Sequence, residues 1–164
     1  MRPPECMSSA KPSCNVYDRC FERMCNCEVT PDRYFISYGK KYCERFLYGI
    51  QLSSAGQRWR DETLVCLQET IVPHLPLNSA QCSCRELKTI AFRAHVTCYT
   101  QPDASICDLG PDDWLKIHDI IDKEDVRMDE MLAVARICLG KKMRDASVRS
   151  IVQRLVEQLV TRMR

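Results

Sequence analysis

Glycine is scarce in this chain, which has five among 164 residues. The sequence accordingly offers no phosphate-cradling loop and no Gly-x-Ser-x-Gly elbow, and it also lacks His-Glu-x-x-His. His118 and Asp119 are adjacent, but neither a neighbouring cysteine nor the glycine-rich calcium loop of phospholipase A2 chemistry accompanies them. Adjacent helical residues point to different faces, so we interpret this pair as surface polar residues. The sequence therefore predicts no catalytic residues and no enzyme.

Long apolar runs are also absent. No stretch reaches the roughly 18 apolar residues that a membrane span requires. The first residues, Met1 to Cys6, contain no apolar core of a signal peptide. We expect a soluble chain without a membrane span, and, if the protein is exported, a signal peptide that is not part of this sequence.

Paired metal-ligand motifs are missing as well. Zinc usually takes Cys-x-x-Cys, because two intervening residues let both thiolates reach one tetrahedral ion. The close pairs here, at 25–27 and 82–84, are separated by one residue, and His74, His95 and His118 stand apart from any second ligand. The sequence predicts no metal and no cofactor, although a zinc site assembled from distant residues remains an alternative.

The net charge of +2 conceals an uneven distribution. Residues 101–130 contain ten acidic and three basic side chains, whereas residues 140–164 contain seven basic and two acidic ones. We interpret both as solvated helix faces that attract one another weakly within the fold. A basic face for an acidic partner is the alternative. No interleaving of aromatic and basic residues accompanies the charge, so a nucleic-acid partner is not expected.

Cysteine, in contrast, is abundant. The chain has twelve, an even number that exceeds what proteins of reducing compartments usually contain. A disulfide framework and secretion to an extracellular, oxidising environment are the natural interpretation. The alternative is an intracellular or effector-type helical module that binds a metal or a partner through free thiols.

Apolar residues recur three and four positions apart along most of the chain, and no comparable strand-like alternation occurs. The pattern predicts an all-α fold with about seven helices in a single disulfide-stapled domain. Residues 1–12, with two consecutive prolines, are expected to form a flexible arm. Residues 13–145 form the predicted disulfide-rich domain, and 146–164 an amphipathic C-terminal helix.

Three central helices are each predicted to place a cysteine on the inward face, so that they can be stapled through a shared core. Their inward residues are Tyr42, Cys43, Phe46, Leu47 and Ile50 in the first helix, Trp59, Thr63, Cys66, Leu67 and Ile71 in the second, and Leu87, Ile90, Ala91, Ala94 and Cys98 in the third.

The C-terminal helix has an unusually long apolar stripe. It either packs entirely on the preceding helices or forms an association surface for a second copy, giving a homodimer. The stripe's candidate association residues are Ile151, Val152, Leu155, Val156, Leu159 and Val160. Flanking arginines, such as Arg149 and Arg154, could then meet the acidic residues of 101–130.

Residues 43–48 carry a family resemblance. Cys43-Glu-Arg-Phe-Leu-Tyr48 resembles the Cys-x-x-Phe-Leu-Tyr segment of the stanniocalcins. Cys66 follows Cys43 after 23 residues, and Cys98 follows Cys84 after 14, as in that family's cysteine ladder. The resemblance covers roughly residues 14–140. It implies an extracellular, hormone-like homodimer associated with calcium and phosphate balance, which acts by binding a protein partner such as a receptor or a pappalysin-type metalloproteinase.

The resemblance also implies a disulfide pairing. The implied pairs are Cys14–Cys25, Cys20–Cys43, Cys27–Cys82, Cys66–Cys98 and Cys107–Cys138. Cys82 and Cys84 are interchangeable in this scheme. Cys6 and Cys84 are left over, and they are expected either to pair with one another or to be used in a bond between two chains.

The chain departs from the family in two respects. Asn15, Asn26 and Asn78 lack a serine or threonine two residues later, so N-glycosylation is not expected. No cysteine follows Cys138, whereas the family places its dimer-forming cysteine after the last shared disulfide. A covalent dimer would have to use another residue.

Overall fold

A computed structural model describes Cys6 and residues 11–76, 81–141 and 145–162, apart from the side chains of Leu159 and Arg162. Most of the predicted arm, residues 1–12, and the last two residues of the predicted C-terminal helix lie outside this description. Within these ranges the chain forms seven helices, which agrees with the predicted all-α fold of about seven helices. They are α1 (17–25), α2 (35–49), α3 (Ser54–Ile71), α4 (Cys84–Tyr99), α5 (Pro111–Asp119), α6 (Met128–Gly140) and α7 (Ala146–Arg162).

Two long helices, α3 and α4, form the centre of the fold. Ser53 caps α3, because its Oγ accepts a hydrogen bond from the backbone N–H of Gly56 at 3.1 Å. Trp59 of α3 is buried, and its Nε1 donates to the carbonyl of Tyr99 at the end of α4. The predicted inward faces of α3 and α4 are therefore the faces that meet in the core.

The first two helices are partly π-helical. In α1, the π-helical turns Tyr17–Glu22 continue into Arg23–Cys25, and in α2 a central α-helical turn, Lys41–Glu44, separates two π-helical segments, Phe35–Lys40 and Arg45–Gly49. Aromatic rings join them, with the centroids of Phe21 and Phe35 5.3 Å apart. This contact joins α1 to α2, and the ring of Tyr38 on α2 meets that of Phe92 on α4.

A small hairpin follows α4. Strands β1 (Thr100–Gln101) and β2 (Ala104–Ser105) pair antiparallel and lead into a short 3₁₀ turn, Ile106–Asp108. Pro111 occupies the first turn of α5, as the sequence predicts. Gly140 is the last residue of α6, and Lys141 continues from it in extended geometry.

All twelve cysteines are paired in disulfides within the chain. The bonds are Cys6–Cys20, Cys14–Cys43, Cys25–Cys82, Cys27–Cys84, Cys66–Cys98 and Cys107–Cys138. The bonds of Cys66 and Cys107 coincide with pairs implied by the family resemblance. Cys27 bonds to Cys84. The implied partner of Cys27 was Cys82, and the scheme allowed Cys84 to take the place of Cys82.

The remaining N-terminal pairs differ from the implied ones. Cys14 bonds to Cys43 instead of Cys25, and Cys20 bonds to Cys6, so the expected Cys6–Cys84 or interchain bond is absent from this structure. Cys20 is 0% exposed in the core, and Cys6, which is also buried, reaches it there. This position explains why Cys20 bonds to Cys6 and not to Cys43.

Asn26 is the reason why both cysteines beside it turn to the same partner segment. Its φ of 51° is the left-handed conformation that ends α1. Cys25 and Cys27 then bond to Cys82 and Cys84, and both bonds span 57 residues. The two Cys-x-Cys segments are therefore joined in parallel register by a double disulfide.

None of the helices in the described ranges is long and apolar enough to cross a membrane.

Gly39 allows close contact between α1 and α2. A Cβ atom at Gly39 would lie 2.5 Å from Cε1 of Tyr17, whose ring is buried. At Gly49, at the end of α2, the nearest atom to such a Cβ would be Cβ of Arg45 at 3.8 Å, which is an ordinary contact. The role of Gly39 is therefore one of packing.

We predict that Gly39→Ala lowers the free energy of unfolding by about 1–3 kcal/mol, because the added methyl group displaces the Tyr17 ring in a filled core. The matched control Gly49→Ala should leave stability unchanged or raise it by up to about 1 kcal/mol. Urea unfolding with the disulfides intact, followed by far-UV circular dichroism, measures both. Equal effects of the two variants would contradict this packing role.

Candidate functional site

The predicted association stripe lies on α7, and the structure divides it. Val148 and Val152 are 0% exposed and belong to the core. The side chains of Ile151, Leu155, Val156 and Val160 are only half-buried, and that of Leu159 lies outside the described residues. Burial therefore decreases from the first half of α7 to the second.

Helix lengths explain this gradient. α7 follows α6 after five residues, and helices joined so briefly run antiparallel. The 17 residues of α7 span about 25 Å, whereas the 13 residues of α6 span about 20 Å. α7 is therefore about one turn longer than α6, and its apolar stripe continues to Val160.

A cavity of about 230 Å³ lies between α7 and helices α4, α5 and α6. Its apolar lining includes Ile117, Ile121, Met131, Val134, Ile151 and Leu155. Three of the predicted association residues, Ile151, Val152 and Leu155, thus form one wall of this cavity. The sequence pattern identified their shared face but gave no sign of a cavity beneath it.

A buried polar array borders the cavity. His95 is 4% exposed, and its Nε2 lies 3.2 Å from the hydroxyl of Tyr34. Its Nδ1 lies 3.1 Å from Oε2 of Glu130 on α6. The His95 ring also stacks on those of Tyr38 and Tyr99. The sequence showed His95 only as an isolated histidine, because its partners are 35 and 61 residues away.

An ionic cluster holds the connection between α5 and α6 against α2. Nζ of Lys41 lies 2.7 Å from Asp122 Oδ2 and donates to Asp125 Oδ2 at 2.8 Å. Arg45 donates to Asp122 Oδ1 at 2.8 Å, and the Tyr42 hydroxyl donates to Asp125. We refer to these five residues as the ionic latch.

The latch changes the ionisation of its members. Hydrogen bonds from Arg45 and Lys41 lower the pKa of Asp122 from 3.8 to about 2. Burial opposes ionisation of Asp125, but hydrogen bonds from Lys41 and Tyr42 outweigh it and lower the pKa of this carboxyl as well. The same contacts raise the pKa of Lys41.

The latch also bears on the predicted attraction between the acidic and the basic segments. In the described part of the chain, the cations that pair with Asp122 and Asp125 come from α2. No ion pair there joins residues 101–130 to residues 140–164. Arg149 and Arg154, on exposed positions of α7, therefore retain their charge at the surface.

Among the residues that the structure describes, no group of three or more histidine, cysteine, aspartate or glutamate side chains is arranged to hold a metal ion.

Comparisons with known proteins identify no relative: no family model, curated protein or solved structure matches this chain.

We predict that the latch stabilises the fold above pH about 4 and loses this contribution as the pH falls through about 2. A lowered carboxylate pKa in the folded state means that the unfolded chain binds protons first, so acid favours unfolding. Urea midpoints measured from pH about 6 to about 2 should fall less steeply for Asp122→Asn than for the wild type.

Asp103→Asn is the matched control, because Asp103 is exposed and lies outside the latch. Its acid-dependent loss of stability should match that of the wild type. Parallel profiles for Asp122→Asn and the wild type would show that the latch does not contribute.

Proposed function

We propose that this chain is an extracellular, stanniocalcin-like regulatory protein that acts by binding another protein and performs no catalysis. The observation that carries the proposal is the apolar edge of α7, where Leu155, Val156 and Val160 remain half-buried. A contiguous apolar edge on a folded domain is typical of a protein-binding surface.

The covalent framework supports the extracellular part of the proposal. Every cysteine is bonded within the chain, a state that persists in oxidising environments. The Cys66–Cys98 and Cys107–Cys138 bonds agree with the stanniocalcin-like scheme, whereas the N-terminal pairs do not. The proposed kinship therefore rests on residues 43–138 and on the short motif at 43–48.

A second copy of the chain is the partner that the surface favours. Arg149 and Arg154 are exposed on α7, the helix that also carries the apolar edge and one wall of the cavity. Exposed acids of the 101–130 segment, such as Asp112 and Glu124, are available for pairing across an interface. A surface that carries positive and negative side chains beside an apolar edge can pair with a copy of itself. Such self-complementarity is what a two-fold dimer contact requires. Since no cysteine remains free, this dimer is non-covalent.

The dimer then presents two copies of the same surface to the regulated partner. A receptor or an extracellular metalloproteinase is the class of partner that the stanniocalcin-like proposal implies. Calcium and phosphate balance is the physiological role that follows from the same kinship.

The alternative, an intracellular helical module acting through its thiols, requires free cysteines. Titration of the unreduced chain with a thiol reagent under denaturing conditions separates the two functions. We expect no reactive thiol among the twelve cysteines. Four or more would contradict the extracellular framework and favour the thiol module.

Charge placed on the α7 edge tests the association directly. We predict that the wild type is a dimer by light scattering and that Val156→Glu/Val160→Glu is a helical monomer, because two buried carboxylates cannot be accommodated in an apolar contact. The matched control Gln153→Glu/Gln158→Glu adds the same charge at exposed positions of α7 and should remain dimeric.

Loss of helical circular dichroism in the valine variant would assign the stripe to the core instead of an interface. A monomeric wild type would also contradict the association.

A further inference from the structure

Two residues that line the cavity beside α7 each carry a buried polar atom without a hydrogen-bond partner. In the described part of the chain, the buried side-chain atoms without a hydrogen-bond partner are Oδ1 of Asp18, Nε1 of Trp114 and Oε1 of Glu130. Trp114 and Glu130 both line the cavity. One atom is a donor and the other an acceptor, and an unpaired buried polar group costs free energy. The lining of the cavity is therefore mainly apolar, and two of its residues each have a buried hydrogen-bonding atom that the protein does not use.

The charged groups around the cavity already have counter-charges. Oε2 of Glu130 faces Nδ1 of His95, and Oε1, which has no hydrogen bond, forms an ion pair with Nε of Arg127 at 3.6 Å. Asp125 belongs to the ionic latch, and His118 faces the neighbouring Asp119 at 3.1 Å. A charged ligand would find no free counter-charge on these walls, so a neutral ligand is favoured.

The volume limits the size of the occupant. An apolar cavity of about 150 Å³ holds one benzene molecule. At about 230 Å³, this cavity admits a body of roughly ten non-hydrogen atoms on the same scale. Such a size is that of two fused rings or of a short alkyl chain.

We propose that this cavity binds a small, neutral, mainly apolar molecule that carries a hydroxyl group. The apolar body fills the space between α5, α6 and α7. A hydroxyl group accepts from the indole N–H of Trp114 or donates to Glu130, and it is the simplest neutral group that can do either. Amphipathic phenols and alcohols form this class of ligand.

Calorimetric titration of the full chain with three matched probes tests the proposal. 1-Naphthol supplies a fused-ring body with a hydroxyl, naphthalene the body alone, and 1-naphthoate the body with a charge. We expect one 1-naphthol per chain, binding roughly two- to tenfold tighter than naphthalene, which is the effect of one hydrogen bond. 1-Naphthoate should bind at least tenfold more weakly than 1-naphthol.

Three variants locate the binding site. Ala135→Phe fills the cavity from α6 and should weaken 1-naphthol binding at least tenfold, whereas Ala133→Phe makes the same change outside the cavity lining and should not. Trp114→Phe removes the indole donor and should reduce the preference for 1-naphthol over naphthalene. If Ala135→Phe does not fold, Leu155→Phe narrows the cavity from its α7 wall and gives the same comparison.

Absence of saturable 1-naphthol binding would overturn the proposal and leave ordered water as the occupant of the cavity. Equal affinities for 1-naphthol and naphthalene would overturn the hydroxyl-bearing class. Unchanged binding in the cavity-filling variant would place the site elsewhere. An affinity that falls as the protein concentration rises would mean that a second copy of the chain occupies the cavity.

Discussion

The covalent attachment of the N-terminal third to the segment that begins α4 is the constraint on which this fold depends. Four of the six disulfides involve residues before position 44. The helices of this region are short and partly π-helical, and such segments have little stability of their own. The two disulfide bonds Cys25–Cys82 and Cys27–Cys84 fix the end of α1 to the start of α4. The aromatic contact of Phe21 with Phe35 then buries the surface that these bonds bring together.

The sequence predicted the elements of the fold better than their connections. Helical periodicity identified the inward residues of α3 and α4 because each stripe is local and repeats every three or four residues. Disulfide pairing depends instead on where separate helices meet, and periodicity contains no such information. The left-handed Asn26 illustrates this limit, since one backbone conformation redirects Cys25 and Cys27 to the same partner segment.

Buried polar residues show the same limit at the candidate site. Asp113 lies in the first turn of α5, where it is 3% exposed and accepts hydrogen bonds from the backbone N–H and the hydroxyl of Ser53. It therefore joins the start of α3 to that of α5 across 60 residues. His95 likewise obtains its partners from distant segments. In both cases the sequence identifies a residue that can form such bonds, but the partner comes from tertiary structure.

α7 connects the two proposals physically. Ile151 and Leu155 form a wall of the cavity, and Val156 and Val160 lie on the half-buried edge of the same helix. A helix moves as a rigid element over a few turns, so a molecule that fills the cavity also fixes the position of the edge. If the ligand binds more tightly to one position of α7, it changes the affinity of the chain for its protein partner. The partner then changes the affinity for the ligand by the same factor, because coupling between two binding sites is reciprocal. A binding surface that rests on a cavity is therefore one whose affinity for a partner can be regulated by a small molecule.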